Sequence, residues 1–224
     1  MSARGERTVL VTGGTTRIGL AISEHLRRSG WRVLTSSHRA DAGADIVADL
    51  SETMGAAKLY AAALKLLGGE PPDALVNNAA LFVGDDAAVE CVNLTAPKKL
   101  TMMMAGRETG RGAVVNILDA ALLSPLPRTS GASPRYADTK RELMAYTKNA
   151  AAMFAATLRV NAVAPGPVFA PVGVREKACE TPLGRPTAED VARAVEFLLD
   201  ADSTTGAIIP VDGGQHLIQP EFVS

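Results

Sequence analysis

The chain has 224 residues, of which 47% are apolar and 21% charged, with a formal net charge of −1. This near-neutral charge gives no reason to expect a nucleic acid or an anionic membrane as a partner. No stretch approaches the roughly 18 apolar residues of a membrane span, and no signal peptide precedes the first predicted strand. The two cysteines, Cys91 and Cys179, lack metal-ligand spacing. These features predict a cytoplasmic protein without a metal site, and the length predicts a single domain over residues 1–224.

Short apolar runs alternate along the chain with longer segments of helical periodicity. The runs predict strands at 7–12, 31–36, 44–48, 74–77, 113–118, 159–164 and 207–211. Several are apolar on both faces, as in a parallel sheet that helices cover on both sides. Helices are predicted at 17–29, 51–67, 86–105, 135–156 and 187–200, with Ser51 and Thr187 as capping or turn residues. The alternation predicts an α/β fold of the doubly wound, Rossmann type.

The connection between the second and third predicted strands is unusually short. Only HRADAGAD lies there, whereas a crossover between parallel strands takes about a dozen or more residues and usually contains a helix. We therefore expect a bare loop and no crossover helix at this point. The segments 120–134 and 165–186 are also predicted as loops, and loops after parallel strands are where such folds bind ligands.

The turn TGGTTRIG, at residues 12–19, directly follows the first strand. Gly13, Gly14 and Gly19 suit a backbone that adopts positive φ or approaches a ligand closely, and the helix N-terminus beside them attracts a phosphate. The spacing is not the G-x-G-x-x-G fingerprint of dinucleotide sites. The glycines alone therefore do not separate a phosphate site from an ordinary turn.

The end of the second strand indicates which cofactor is bound. It reads Ser36-Ser37-His38-Arg39, with no carboxylate before Asp41. An acidic residue here holds a ribose 2′-hydroxyl, whereas an arginine accommodates a 2′-phosphate through charge-assisted hydrogen bonds. Arg17, on the adjoining turn, could reach the same phosphate. The two arginines favour NADPH/NADP+ over NAD(H); the alternative is a pair of solvated surface side chains.

Tyr136 and Lys140, in YADTK, open the helix that follows the fifth strand. Residues at i and i+4 share a helix face, so the phenol and the ammonium project together. A nearby cation favours the phenolate, so we expect it to lower the pKa of Tyr136, which suits a general acid–base.

A set of motifs makes the chain resemble the short-chain dehydrogenase/reductase family. They are TGGTTRIG, Asp49 after the third strand, NNAA at 77–80, VNLTAP with Asn93, YADTK, VNAVAPGPV at 160–168 and PVDGG at 210–214. The resemblance covers nearly the whole chain. It implies a Rossmann domain with a seven-stranded parallel sheet, hydride transfer to or from a nicotinamide, and a homotetramer or homodimer.

The resemblance also implies roles for individual residues. Tyr136 would be the proton donor, Lys140 would hold the nicotinamide ribose and tune the tyrosine, and Asn93 would support a proton-relay water. Asp49 and Asn77 would line the adenine and ribose side. Further cofactor contacts are implied at Gly13, Thr15, Arg17, Ile18, Gly19, Ser37, His38, Arg39, Leu50, Asn78, Ala79, Pro165, Gly166 and Val168.

The serine that the family usually carries in its fifth strand is absent. Asp119 occupies that place in VVNILDA, and Ser124 or Ser130 in the following loop is the alternative source of the hydroxyl. An ionised carboxylate only accepts hydrogen bonds and would oppose the charge that develops on a carbonyl oxygen. It suits a substrate with N–H groups, or a C=N bond that is protonated as hydride arrives.

Arg17, the pair His38-Arg39, Asp119 and Phe82 in NNAALF are similar to the pteridine reductase and dihydromonapterin reductase branch of the family. The resemblance implies that Phe82 stacks on the pterin and that Arg17 contacts both pterin and cofactor phosphate. It also implies that Asp119 delivers protons together with the tyrosine.

The sequence therefore predicts an NADPH-dependent reductase of a pteridine-like C=N bond in a small-molecule substrate such as a dihydropterin or dihydrofolate. One alternative is a carbonyl reductase of a ketoacyl, sugar or polyketide-type substrate. The other is a non-catalytic dinucleotide-binding protein. Outside the predicted site, His25 is expected on the protein surface, His216 is expected in packing or solvent rather than in a substrate pocket, and Asp85-Asp86 are expected to cap a helix.

Overall fold

The computed structural model describes residues 6–108, 110–123, 132–169 and 181–218. Its strands are β1 (Thr8–Thr12), β2 (Arg32–Ser37), β3 (Ile46–Val47), β4 (Ala74–Asn77), β5 (Gly112–Ile117), β6 (Leu158–Pro165) and β7 (Ile208–Val211). All pair in parallel in one seven-stranded sheet with the spatial order β3-β2-β1-β4-β5-β6-β7. The predicted doubly wound α/β sheet is confirmed, with strand ends shifted by one or two residues. The strand order reverses between β1 and β4, which is where ligands bind in such sheets.

The helices flank the sheet and follow the predicted order. They are α1 (Arg17–Arg28), α2 (Gly55–Leu66), α3 (Asp86–Glu90), α4 (Ala96–Ala105), α5 (Pro134–Met153) and α6 (Ala188–Asp200). The segment predicted as one helix over 86–105 contains a π-helical turn, Cys91–Thr95, between α3 and α4. Such a turn gives the periodic pattern no visible break, so the sequence did not predict it.

Two apolar layers form the core, one on each face of the sheet. On one face α1 and α6 pack through side chains such as Ile22, Leu26 and Val195. On the other, α2, α4 and α5 contribute Leu59, Leu100 and Ala150, among others. Both layers meet strand residues that are buried on either side, which explains the continuous apolar runs of β4 and β5.

Helix capping is confirmed at α6 and at α3, whereas Ser51 is a turn residue before α2 and does not cap that helix. Thr187 forms a capping box with Asp190, and the side chain of Asp85 accepts a hydrogen bond from Ala88 N. However, α2 begins at Gly55, and Ser51 lies before it and donates its hydroxyl to Asp49 Oδ1 at 2.7 Å. The N-cap position of α2 is Met54, three residues beyond Ser51, and no side chain caps it.

The β2–β3 connection contains a single 3-10 turn, Ala40–Ala42, in place of a crossover helix, as predicted. Asp45 fastens its far end back to β2, because its Oδ2 accepts from the backbone N and the hydroxyl of Thr35, both at 2.7 Å. Strands β2 and β3 then pair in parallel over only two residues each. The sheet therefore has a very short edge strand at β3, and its other edge strand, β7, contains Pro210.

His25 is not the surface residue that the sequence predicts. Its side chain is 13% exposed and joins α1 to α6, with Nδ1 2.7 Å from Glu189 Oε1 and Nε2 2.6 Å from Glu196 Oε2. Desolvation lowers its pKa, but hydrogen bonds to Glu196 and Glu189 outweigh this and raise it above the ordinary value. Only an imidazolium donates from both nitrogens, so the charged form makes both bridges.

No helix in the described ranges is apolar over enough of its length to span a bilayer.

Candidate active site

The glycine turn after β1 is built for close backbone approach. Gly13 has a φ of +62°, a conformation that glycine adopts at little cost. A Cβ on Gly19 would lie 2.1 Å from the Gly13 carbonyl oxygen, so no larger residue fits where α1 meets the turn. Arg17 begins α1 with a φ of +51°. Among the described residues, it is the one non-glycine residue with a positive φ. Such a strained conformation is a mark of functional turns.

A cleft of about 680 Å³ opens at the carboxyl ends of the strands, beside this turn. All the implied cofactor contacts except Asn77 and Val168 line it, and so do Tyr136 and Asp119. Asn93 and Phe82 lie outside the lining set. The cleft-lining residues that the sequence predicts are Gly13, Thr15, Arg17, Ile18, Gly19, Ser37, His38, Arg39, Asp49, Leu50, Asn78, Ala79, Asp119, Tyr136, Lys140, Pro165 and Gly166.

Three ionisable side chains meet at the inner end of the cleft. The hydroxyl of Tyr136 donates to Asp119 Oδ2 at 2.9 Å, and Asp119 Oδ1 accepts from Ala121 N at 2.9 Å. Lys140 donates from Nζ to the carbonyl oxygen of Ile117 at 2.8 Å, one turn along α5 from the tyrosine. Asp119 thus occupies the place where a serine was expected from the family pattern. Ser124 and Ser130, the alternatives, lie outside the described residues.

Burial and Asp119 control the protonation of this group. The pKa of Tyr136 is raised well above its ordinary value, first by desolvation and then by the adjacent Asp119 carboxylate. Desolvation lowers the pKa of Lys140 to about 8, against an opposing attraction to Asp119. The expectation that Lys140 lowers the tyrosine pKa is therefore wrong for this arrangement, since the aspartate lies closer to the phenol than the lysine does. The phenol keeps its proton and is set up to donate.

Asn93 lies in the π-helical turn Cys91–Thr95 and is fully buried. Its Oδ1 accepts from Leu81 N at 2.8 Å, and its Nδ2 donates to Leu81 O at 2.9 Å. Both polar atoms of the amide thus hold the segment that follows β4. Its side chain supports one wall of the site from behind and does not line the cleft.

The two asparagines of NNAA separate into different roles. Asn77 Nδ2 donates to Asn116 Oδ1 within the sheet at 2.8 Å, so Asn77 does not line the adenine and ribose side as expected. Asn78 lines the cleft and donates from Nδ2 to the carbonyl oxygens of Thr12 and Gly13. Strand alternation explains the split, because successive side chains point to opposite faces.

Two phenylalanines approach the site from different loops. The ring of Phe82 packs edge-on against Tyr136 with centroids 4.9 Å apart, so it borders the catalytic group. Phe169, which the sequence analysis overlooked, lies 4.8 Å from the guanidinium carbon of Arg17. Its position, one residue beyond the VNAVAPGPV motif, could have indicated from the sequence alone that it lies near the cleft. The Arg17–Phe169 contact joins the start of α1 to the loop after β6 across the cleft.

His216 has a single clear polar partner, the buried carboxylate of Asp212. The distance from Nδ1 to Asp212 Oδ2 is 2.8 Å. This agrees with the expectation of a packing role.

Among the described residues, no three His, Cys, Asp or Glu side chains are grouped so that they could hold a metal ion.

The cleft fits a dinucleotide on three grounds. Its volume falls within the roughly 300–1,000 Å³ of small-molecule sites. The Gly13–Gly19 contact leaves the backbone beside the N-terminus of α1 free of side chains, as a bound phosphate requires. Arg17 and Arg39 supply cationic groups at the lining, while Asp49 is turned toward Ser51 N and Oγ.

A doubly wound sheet with this turn and a buried tyrosine–lysine pair defines a nucleotide-dependent oxidoreductase. The sequence profile described as enoyl-(acyl carrier protein) reductase matches residues 14–216. The chain belongs to the short-chain dehydrogenase/reductase family, whose members use NAD(P).

Individual relatives cover nearly the whole chain. The galactitol 2-dehydrogenase of Rhizobium johnstonii is 33% identical, over 94% of this chain and 95% of its own. A protein of Streptomyces violaceoruber assigned as ketoacyl reductase 2 of the granaticin polyketide synthase is also 33% identical, over 93% and 96%. The structure of FolM alternative dihydrofolate reductase 1 from Brucella canis, complexed with NADP, has a TM-score of 0.82 and 31% identity, covering 97% of this chain and 98% of its own.

Proposed function

We propose that this enzyme is an NADPH-dependent reductase of a pteridine-like C=N bond, as in a dihydropterin or dihydrofolate. The observation that carries the proposal is the 2.9 Å hydrogen bond from Tyr136 to Asp119 at the inner end of the cleft. A carboxylate at this point suits a ring with N–H groups better than it suits a carbonyl oxygen. The similarity to FolM alternative dihydrofolate reductase 1 supports the same substrate class.

NADPH is the proposed cofactor, and bound NADPH supplies the hydride for the reaction. Gly13, Gly19 and the N-terminus of α1 would hold its pyrophosphate. Arg17 and Arg39 would bind the 2′-phosphate, and Lys140 would hold the nicotinamide ribose. The structure of FolM alternative dihydrofolate reductase 1, which was determined in complex with NADP, supports this assignment.

Tyr136 and Asp119 would deliver the proton that balances hydride addition. As hydride reaches the ring carbon of the C=N bond, the nitrogen takes one proton and the π bond breaks. The raised pKa of Tyr136 keeps its proton available until that moment. Asp119 accepts the phenol hydrogen bond and would accept a second from a ring N–H, which fixes the orientation of the substrate. A solvent proton then restores the tyrosine.

Phe82 and Arg17 would bind the ring itself. Phe82 already contacts Tyr136, so a planar ring stacked beside it would lie within reach of the proton donor. Arg17 would contact both the pterin and the cofactor phosphate. Asn93 would act through the backbone of Leu81, which it holds by two hydrogen bonds.

The second candidate is a carbonyl reductase of a ketoacyl, sugar or polyketide-type substrate. It is favoured by relatives named as a galactitol dehydrogenase and a ketoacyl reductase. In that case Tyr136 alone would protonate the carbonyl oxygen, and Asp119 would act only in holding the phenol.

The test is a substrate panel followed by NADPH absorbance. It contains dihydrobiopterin, dihydromonapterin, dihydrofolate, a ketoacyl thioester and a ketose, each also run with NADH. Turnover of the pterins with NADPH is expected. Steady reduction of the thioester or ketose with no pterin turnover would reject the pteridine assignment. Tight NADPH binding without any turnover would favour the non-catalytic alternative.

We also propose that the protein works in the cytoplasm as a homotetramer or homodimer. Exposed apolar side chains on three helices, Met102, Met153 and Phe197, are candidates for burial between subunits. Sedimentation equilibrium should give two or four times the mass of one chain, and a single-chain mass would reject the oligomer.

A further inference from the structure

Arg39 and Asp41 form a two-point ion pair at the β2 end of the cleft. Arg39 donates from Nε to Asp41 Oδ1 at 3.0 Å and from Nη2 to Asp41 Oδ2 at 2.8 Å. The side chains are 62% and 72% exposed. Since phosphate and carboxylate both bind a planar edge of a guanidinium through paired N–H groups, Asp41 occupies one of the two edges of Arg39 that could receive a phosphate, the edge formed by Nε and Nη2.

The short β2–β3 connection keeps the two residues together. Arg39 N donates to Ser37 Oγ at 3.1 Å, and Asp41 lies in the 3-10 turn Ala40–Ala42 that Arg39 precedes. Asp45 fastens the far side of the connection to Thr35. With so few residues between these anchors, the carboxylate remains within reach of the guanidinium even when a ligand is bound.

We propose that Asp41 is a positioning residue that acts through Arg39 and lowers the affinity of this site for a 2′-phosphate. The inference rests on the proposed NADPH-dependent function. A ligand with the phosphate must separate Arg39 from Asp41 and then lie beside a carboxylate of like charge. A ligand with a free 2′-hydroxyl leaves the ion pair intact. Asp41 therefore narrows the preference for NADP(H) over NAD(H) and speeds release of the phosphorylated cofactor.

An ion pair also preorganises the arginine, and this effect has the opposite sign. We expect competition to outweigh preorganisation for two reasons. The carboxylate uses two of the N–H groups that a phosphate could use, and its charge stays close to the phosphate after displacement. The two effects have opposite signs in a binding experiment, so the measurement separates them.

The experiment titrates the full chain with 2′,5′-ADP and with 5′-AMP in a calorimeter. Asp41→Asn should bind 2′,5′-ADP about twofold to fivefold more tightly than the parent chain, the range expected for one exposed ion pair. Its affinity for 5′-AMP should not change, and Asp41→Glu should restore the parent value. The gain should shrink at high salt. In turnover, Asp41→Asn should lower KM for NADPH and leave KM for NADH unchanged.

Two further variants make each outcome decisive. Glu52→Gln removes another exposed carboxylate, which pairs with Lys58, and it should leave both affinities unchanged. An equal gain in Glu52→Gln, or unchanged or weaker 2′,5′-ADP binding in Asp41→Asn, overturns the inference. Arg39→Ala should reduce the preference for 2′,5′-ADP over 5′-AMP, and Arg17 should supply what remains. If the preference is unchanged in Arg39→Ala, the assignment of the 2′-phosphate to Arg39 fails together with the inference. If the preference falls in Arg39→Ala but Asp41→Asn binds 2′,5′-ADP as the parent chain does, only the inference fails.

Discussion

The pairing of Tyr136 with Asp119 is the contact on which the proposed chemistry rests. A serine in this place would donate a hydrogen bond, whereas the carboxylate accepts one from the phenol. Burial raises the pKa of Tyr136, and the Asp119 carboxylate raises it further by stabilising the protonated phenol. In the proposed reaction, the phenol would therefore keep its proton until the substrate nitrogen becomes basic.

Replacing the carboxylate separates this role from cofactor binding. Asp119→Ser should reduce kcat for dihydropterin reduction by about 100-fold, the lower range for loss of acid–base assistance. The Kd for NADPH should be nearly unchanged. Asp138→Asn, an exposed carboxylate on the same helix as Tyr136, is the matched control and should keep full activity. Equal pterin turnover in Asp119→Ser and in the parent chain would show that the aspartate takes no part.

If Lys140 holds the nicotinamide ribose as proposed, its charge should set an alkaline limit to activity. Its pKa of about 8 means that the ammonium is present below this pH and is lost above it. Since kcat/KM reports ionisations of the free enzyme, kcat/KM for NADPH should fall as pH rises through about 8. Lys140→Arg should remove the fall if it folds, because a guanidinium stays charged. Lys148→Met, at an exposed position of the same helix, should retain it. A profile that is flat to about pH 10 in the parent chain would contradict the assignment.

Residue types and spacing predicted most of the cleft, but they did not predict contacts between distant segments. YADTK, the glycine turn and Arg39 are local patterns, and the structure brings them together at the cleft. The Arg17–Phe169 contact and the rise in the pKa of Tyr136 depend on distances between elements. Propensity rules do not contain such distances.

At the scale of single elements, the turn between β1 and α1 tolerates no side chain at Gly19. Gly19→Ala would bring a Cβ to 2.1 Å from the Gly13 carbonyl oxygen, so the turn must open. We expect a loss of about 1–3 kcal/mol in the free energy of unfolding and a marked loss of NADPH affinity.

Gly106→Ala provides the control for that substitution. Gly106 has an ordinary helical φ of −73°, and a Cβ there would lie 3.5 Å from its nearest neighbour, Met103 O. Denaturant unfolding should show a change within about 0.5 kcal/mol. Equal stability of the Gly19→Ala and Gly106→Ala proteins would mean that the turn relaxes without cost.

The π-helical turn at Cys91–Thr95 shows the limit of prediction at this scale. Its apolar residues fit an uninterrupted α-helix, which is what the sequence predicted. The turn changes the direction in which the Asn93 side chain points, and both polar atoms of its amide bind the backbone of Leu81. Only the three-dimensional position of Leu81 reveals this requirement. Such turns often occur close to functional sites.

At the scale of the whole molecule, His25 links two helices that belong to opposite halves of the chain. Because its folded pKa is raised, the stabilisation by the bridged imidazolium is fully present below the unfolded value and is lost as pH rises through the folded value. In the parent chain, the free energy of unfolding should therefore show a downward step as pH rises above about 6.5. His25→Gln should remove this step. His38→Gln, at an exposed histidine, should leave that step in place. Urea titrations across this pH range measure it, and an unaltered step in His25→Gln would contradict the bridge.

The global fold was predictable because alternation of strand and helix periods leaves few arrangements for a parallel sheet. The short HRADAGAD segment even excluded the crossover helix correctly. His25 was misassigned because a histidine on an amphipathic helix looks exposed until the packing of α6 is known.

The two edges of the sheet have a consequence for behaviour at high concentration. The carbonyl oxygens of Ala207 and Val211 accept from Ala162 N and Gly166 N on the β6 side. Strand alternation therefore turns the nitrogen of Pro210 outward, where it offers no N–H to an incoming chain. The opposite edge, β3, presents only two residues. Among the described residues, neither margin offers an extended template for intermolecular strand addition, an arrangement that disfavours fibrillar self-association through the sheet edges.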